Sequence, residues 1–134
     1  MKAEIDRKEL IGICALLVHA AKIDEKYDAE EKNLILSFIK KTNSRIKDPK
    51  EILDEGEKLE NSSNQLLNFT NVIKRNSLES KSVVIEELWK IIISDNSVDE
   101  YESNLIRRIC GLIYFPDKLS GEIKLKLINE KKLK

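Results

Sequence analysis

No G-x-G-x-x-G and no G-K-[ST] occurs in this chain, and four glycines leave little material for a loop that cradles phosphate. Two prolines among 134 residues leave few places where a helix must break. The two cysteines, Cys14 and Cys110, are far apart and sit inside apolar helical patterns. With no C-x-x-C and a single histidine, His19, they read as small buried hydrophobes rather than a disulfide or a zinc pair. Net charge is also lacking. Charged residues make up 36% of the chain, but 24 basic side chains balance 24 acidic ones, which argues against a strongly basic nucleic-acid binder and against an acidic tail. No apolar run approaches the ~20 residues that span a bilayer, so no stable membrane insertion is expected. The first ten residues, MKAEIDRKEL, lack the apolar stretch of a signal peptide, and the expectation is a cytoplasmic protein.

What is present is an acidic signature that occurs twice. Asp24, Asp28 and Glu31 in IDEKYDAEEKNLI, and Asp95, Asp99 and Glu102 in SDNSVDEYESNLI, both read D-x-x-x-D-x-x-E. One offset of 71 residues relates the two copies and also brings Leu17 onto Leu88, Asn33 onto Asn104, Leu34 onto Leu105 and Ile35 onto Ile106. Such agreement in one register implies an internal duplication. Each copy runs from an apolar helix through an acidic corner into a second helix. The repeat units are expected at about 7–42 and 78–114, within a single domain spanning 1–134.

Periodicity and start signals predict about seven helices. Asp6 with Glu9 has capping-box spacing and opens a helix over 7–23 that is apolar round most of its circumference. Asp28 opens a second, to about 42. Asp48, Pro49 and Glu51 supply an N-cap, a first-turn proline and a capping-box acid for a helix to about 60. Ser62 with Gln65 is expected to open another, carrying Leu66, Leu67, Phe69, Val72 and Ile73. Ser77 caps a long apolar helix to about 94, the repeat mate of the first. Asp99 opens a helix that Pro116 ends, and a last one covers roughly 118–130. No sustained period-2 alternation argues for strands. The expected fold is all-α, a compact bundle whose two apolar helices pack together at the centre, each with its own hairpin partner. Trp89, Tyr101 and Phe115 read as core or rim residues.

Three stretches carry a family resemblance: LLVHAAKIDEKYDAEE at 16–31, FTNVI at 69–73 and LWKIIISDNSVDEYESNLIRRICGL at 88–112. Over roughly residues 10 to 128 the chain resembles the TerB-like, tellurite-resistance B proteins. Related domains head the membrane-anchored DnaJ-type co-chaperones of the DjlA kind. This chain has no H-P-D tripeptide, so their chaperone-stimulating activity is not implied. The family often places glycine after the first aspartate of each corner, where Glu25 and Asn96 stand here. Asparagine tolerates a left-handed backbone better than glutamate does.

The corners admit several chemistries. The spacings Asp28–Glu31 and Asp99–Glu102 suit helix N-caps, where free N–H groups and the positive end of the helix dipole favour carboxylates. Asp24 and Asp95 follow helix C-termini, where a negative charge is disfavoured and wants a partner. With the neighbouring acids they offer hard oxygen ligands suited to Ca²⁺ or Mg²⁺ rather than zinc, and the resemblance implies metal binding of this kind. A salt-bridge latch is the other option: Lys22, Lys26 and Lys32 lie near the first corner in sequence, Arg107 and Arg108 near the second. The functional expectation is a non-enzymatic interaction module in a bacterial stress or tellurite-resistance-type system, with an unknown protein partner. A homodimer is compatible with the sequence, and nucleic acid is not an expected ligand. The alternatives are a Ca²⁺/Mg²⁺ sensor or buffer and, from the enzyme class, a carboxylate-dependent hydrolase. The basic end GEIKLKLINEKKLK reads as a solvated helix end.

Overall fold

The structure, a computed structural model, describes residues 7–23, 29–42, 45–62, 67–71, 73–93 and 100–132. Of residues 23, 67, 68, 100–103, 131 and 132 it describes the helical backbone alone. The described residues form seven helical segments and no strand: α1 (Arg7–Ile23), α2 (Ala29–Thr42), α3 (Pro49–Ser62), α4 (Leu67–Thr70), α5 (Leu78–Ile93), α6 (Glu100–Leu112) and α7 (Asp117–Lys132). The all-α bundle read from the sequence is therefore the fold.

α1 and α5 form its centre. Leu10, Ile13, Cys14, Leu16, Leu17 and Val18 of α1 are fully buried, as are Val84, Ile85, Leu88 and Ile92 of α5. Sides pointing in several directions are apolar on both helices, so each must be enclosed by neighbours. The two pack against each other, as expected. Their principal partners, however, are not the hairpin helices α2 and α6. α1 packs most extensively on α3, and α5 on α7. For α1 the cause is local: Gly56 of α3 faces Cys14, and with no side chain between them the two backbones approach closely.

Several helix ends follow the sequence signals. Asp48 Oδ1 accepts from the Lys50 N–H at 3.1 Å, with Pro49 at the first helical position of α3. Ser77 Oγ accepts from the Ser80 N–H at 3.1 Å and caps α5. Glu51 does not act only within its own helix end, since its carboxylate lies 3.4 Å from Arg7 of α1.

Two ends differ from expectation. Ser62 closes α3 rather than opening the next helix. Its hydroxyl donates to the Leu59 carbonyl at 3.1 Å, and the described part of the following helix is only the four residues of α4. Serine competes for backbone groups at either end of a helix, so its spacing to Gln65 did not decide which end it serves. Gln65, Leu66 and Val72 lie outside the described residues, as do Asp6 and the proposed caps Asp28 and Asp99. α6, in turn, stops before Pro116 acts. The Phe115 N–H donates to the Cys110 carbonyl at 2.8 Å and the Tyr114 N–H to the Gly111 carbonyl at 3.4 Å. Tyr114 between them has φ 59°, the left-handed position of a Schellman cap.

Trp89 and Phe115 belong to the core, whereas the side chain of Tyr101 is outside the described set. Cys14 and Cys110 are buried free thiols. Burial raises the Cys14 thiol far above the ordinary range. Cys110 is pushed up to about 11, burial outweighing a hydrogen bond with Ser120 that favours the thiolate.

Candidate functional site

Each acidic corner falls in a connection between a central helix and its hairpin partner. Asp24 and Asp28 lie between α1 and α2, and Asp95 and Asp99 between α5 and α6; all four are outside the described residues. Glu102 lies in the first turn of α6, where only its backbone is described. Glu31 is the candidate ligand whose surroundings are defined. It sits in the first turn of α2 and is 3% exposed. A solvated capping acid would stand in water. Glu31 is instead turned inward, where a carboxylate requires compensating groups. Its place in the first turn of α2 sets it near the positive end of the helix dipole, which favours its charge.

α3 carries a row of acids that ties down α1 and α2. At one end Arg7 Nη2 of α1 donates to Glu55 Oε2 at 2.6 Å. On the α2 side Lys32 Nζ lies 3.5 Å from Glu57 Oε2. At the other end Glu60 collects two partners from the last turns of α1. Lys22 Nζ donates to Glu60 Oε1 at 2.7 Å, and His19 Nδ1 lies 3.2 Å from Oε2. The Glu60 side chain is only 11% exposed and that of His19 32%. Burial alone would raise the Glu60 carboxyl, but the hydrogen bonds and charges of Lys22 and His19 overcome it and hold the group below the ordinary value of 4.5. The His19 ring also rests against Phe69, with centroids 6.0 Å apart. This cluster fixes the end of α1 from which the first acidic corner departs. Sequence reasoning passed over Glu60, because it is separated from His19 by 41 positions and the pair joins two different helices.

Among the described residues no group of three or more His, Cys, Asp or Glu side chains is placed to hold a metal ion. That statement does not reach the corners, where four of the six candidate ligands and the side chain of Glu102 lie outside the description. The six-residue donor set is entirely carboxylate oxygen, which fits Ca²⁺ or Mg²⁺. No described helix is long and apolar enough to cross a membrane.

A helical bundle with two long apolar helices at its centre, each followed along the chain by an acidic connection, defines a class of small all-α module. A family model described as tellurite resistance protein TerB matches residues 10–125. The chain belongs to the TerB family. No curated protein and no solved structure matches it.

Proposed function

We propose that this protein is a non-enzymatic TerB-type interaction module serving a bacterial stress or tellurite-resistance-type system, and that its two acidic corners are the working surface. The family match over residues 10–125 carries this reading. In support, the corners follow the two helices that form the centre of the core, α1 and α5.

The corner chemistry favours a divalent cation as part of that surface. Asp24, Asp28 and Glu31 would hold it at one corner, and Asp95, Asp99 and Glu102 at the other. A hard cation there would neutralise the aspartates that follow helix C-termini and fix the loop conformation that a partner meets. Glu31 sits in the first turn of α2, so an ion it ligated would be coupled to that helix.

Isothermal titration of chelated protein with Ca²⁺ and with Mg²⁺, alongside thermal melts, tests the cation. A ligand that binds only the native state raises the melting temperature by mass action. Asp24→Asn and Asp95→Asn abolish that rise if the carboxylates are ligands. If they are latched to a basic side chain, both variants lose stability with or without cation. Absence of heat and of thermal shift with either ion would remove the metal and leave a protein-binding surface, to be sought by pull-down with wild-type and corner-substituted protein.

A further inference from the structure

We propose that a crevice between α5, α6 and α7 is a binding site for a small organic carboxylate with a compact apolar body. The crevice is open to solvent on one side, holds about 160 Å³ and is lined by Trp89, Ile106, Arg107, Asp117, Ser120, Gly121 and Lys124. It involves none of the six corner carboxylates and does not depend on a metal there.

Three observations define the ligand. The first is a fixed aromatic floor. Trp89 is 4% exposed, and its indole N–H donates to the buried Ser120 Oγ at 3.0 Å, so the ring cannot turn out of the site. Ile106 adds a second apolar wall. Together they suit a flat or branched hydrocarbon body.

The second is charge. Two cations, Arg107 and Lys124, face one carboxylate, Asp117. Lys124 Nζ stands 5.1 Å from the Trp89 ring centroid. Among the described residues neither Arg107 nor Lys124 forms an ion pair. Asp117 lies in the first turn of α7, where the helix N-terminus attracts its charge. The Arg107 guanidinium is thus left to receive an outside anion, with the Lys124 ammonium over the Trp89 ring adding positive charge beside it, and the planar fork of arginine matches a carboxylate.

The third is size. A cavity of about 150 Å³ accepts benzene, so this one admits a ring or a branched chain with one carboxylate and excludes a nucleotide. Gly121 leaves one wall low, since a Cβ built there meets nothing within 4 Å. Glycine inside a helix costs about 1 kcal/mol relative to alanine, and here no neighbouring atom requires it.

Trp89 is the single tryptophan of the chain, so tryptophan emission, excited where the three tyrosines do not absorb, reports on this site alone. Sodium benzoate is the first probe, and benzyl alcohol is its uncharged counterpart of similar shape. A short peptide ending in leucine, tested with a free and with an amidated C-terminus, distinguishes a peptide carboxylate from a free acid. The expected result is a saturable change in Trp89 emission with benzoate, with a dissociation constant on the order of 1 mM for so small a ligand, and none with benzyl alcohol. Tighter binding of the free-carboxylate peptide than of benzoate would assign the site to a peptide C-terminus, and weaker binding to a free acid. Arg107→Gln should weaken benzoate by about tenfold or more, the loss of one charge-assisted hydrogen bond. Gly121→Val should remove binding by filling the crevice. Both positions are on the surface side of their helices, and unchanged melting would verify that the variants fold. No saturation by benzoate well above 1 mM, an equal response to benzyl alcohol, or full affinity in folded Arg107→Gln would each overturn the proposal.

Discussion

Gly56 of α3 lies against Cys14 of α1 so closely that a methyl group at residue 56 would stand 2.7 Å from the Cys14 Cβ and 3.3 Å from the Ala15 nitrogen. Both contacts involve atoms at or next to a helix backbone, which cannot move aside as the tip of a side chain can. Gly56→Ala should therefore destabilise the protein. Overpacking of about 1–3 kcal/mol is offset only in part by the better helix propensity of alanine, about 1 kcal/mol. Gly111→Ala is the control. A Cβ at Gly111 meets nothing within 4 Å, so the same change in α6 should stabilise by about 0.5–1 kcal/mol. Urea melts of the two variants should move in opposite directions; movement of both in the same direction would show that packing is not what keeps glycine at 56.

Ser120 holds the indole of Trp89 and also meets the Cys110 thiol, in a buried position between α5, α6 and α7. Ser120→Ala leaves the indole N–H unsatisfied in the core at a cost of about 1–3 kcal/mol. Because Trp89 is the only tryptophan, its emission should also change in the native state. Chemical denaturation followed by fluorescence measures both effects, and an unchanged midpoint would mean that this bond contributes nothing net.

The carboxyl of Glu60 is held below its ordinary value, so its contribution to stability has a defined sign with pH. The unfolded chain takes up a proton first as pH falls. The stabilisation is full above the unfolded value near 4.5 and is lost as pH drops below it through the folded value. Glu87 works the other way. Burial raises its carboxyl despite Lys90 at 3.2 Å and the nearby charge of Lys41, so it favours the folded state at low pH and loses that effect as pH rises through its folded value. Glu60→Gln should flatten the acid side of the stability curve, and Glu87→Gln should steepen it. Melting temperatures from pH 3 to 7 provide the test, and parallel curves for wild type and Glu60→Gln would refute the assignment.

Tyr114 adopts a left-handed backbone with φ 59° while its side chain is 71% exposed. A residue with a Cβ pays about 1–2 kcal/mol there. Its compensation is a cation–π contact with Lys74 at 5.8 Å, about 0.5 kcal/mol at an exposed site. Tyr114→Gly should raise stability by about 0.5–1 kcal/mol, and a lower denaturation midpoint would show that the Lys74 contact matters more than the strain.

The helices themselves were legible in the residues. α1 spans Arg7 to Ile23, as its start signal and apolar pattern gave, because a helix apolar in several directions has only the core to occupy. Asp48 and Ser77 announced their helix starts because a cap is a local bond between near neighbours in sequence. The end of α6 was less legible. Pro116 is a stop signal, yet the left-handed residue is Tyr114, where glycine would be the expected marker. Of the candidate ligands, the sequence identified six acids by their repetition, but nothing in it said that Glu31 would face inward.

The sequence by itself determined an all-α chain, its two central helices, the spacing of its acids and its likeness to the TerB family, because each follows from local periodicity or from repetition along the chain. Only the tertiary structure decided which helices press closest. α1 takes α3 through the missing side chain of Gly56, and α5 takes α7, bonded through Trp89 and Ser120. It alone paired His19 and Lys22 with Glu60, and set Arg107 and Lys124 around one crevice. Such contacts join residues tens of positions apart, and their partners are chosen by the packing of whole helices, which no local pattern encodes.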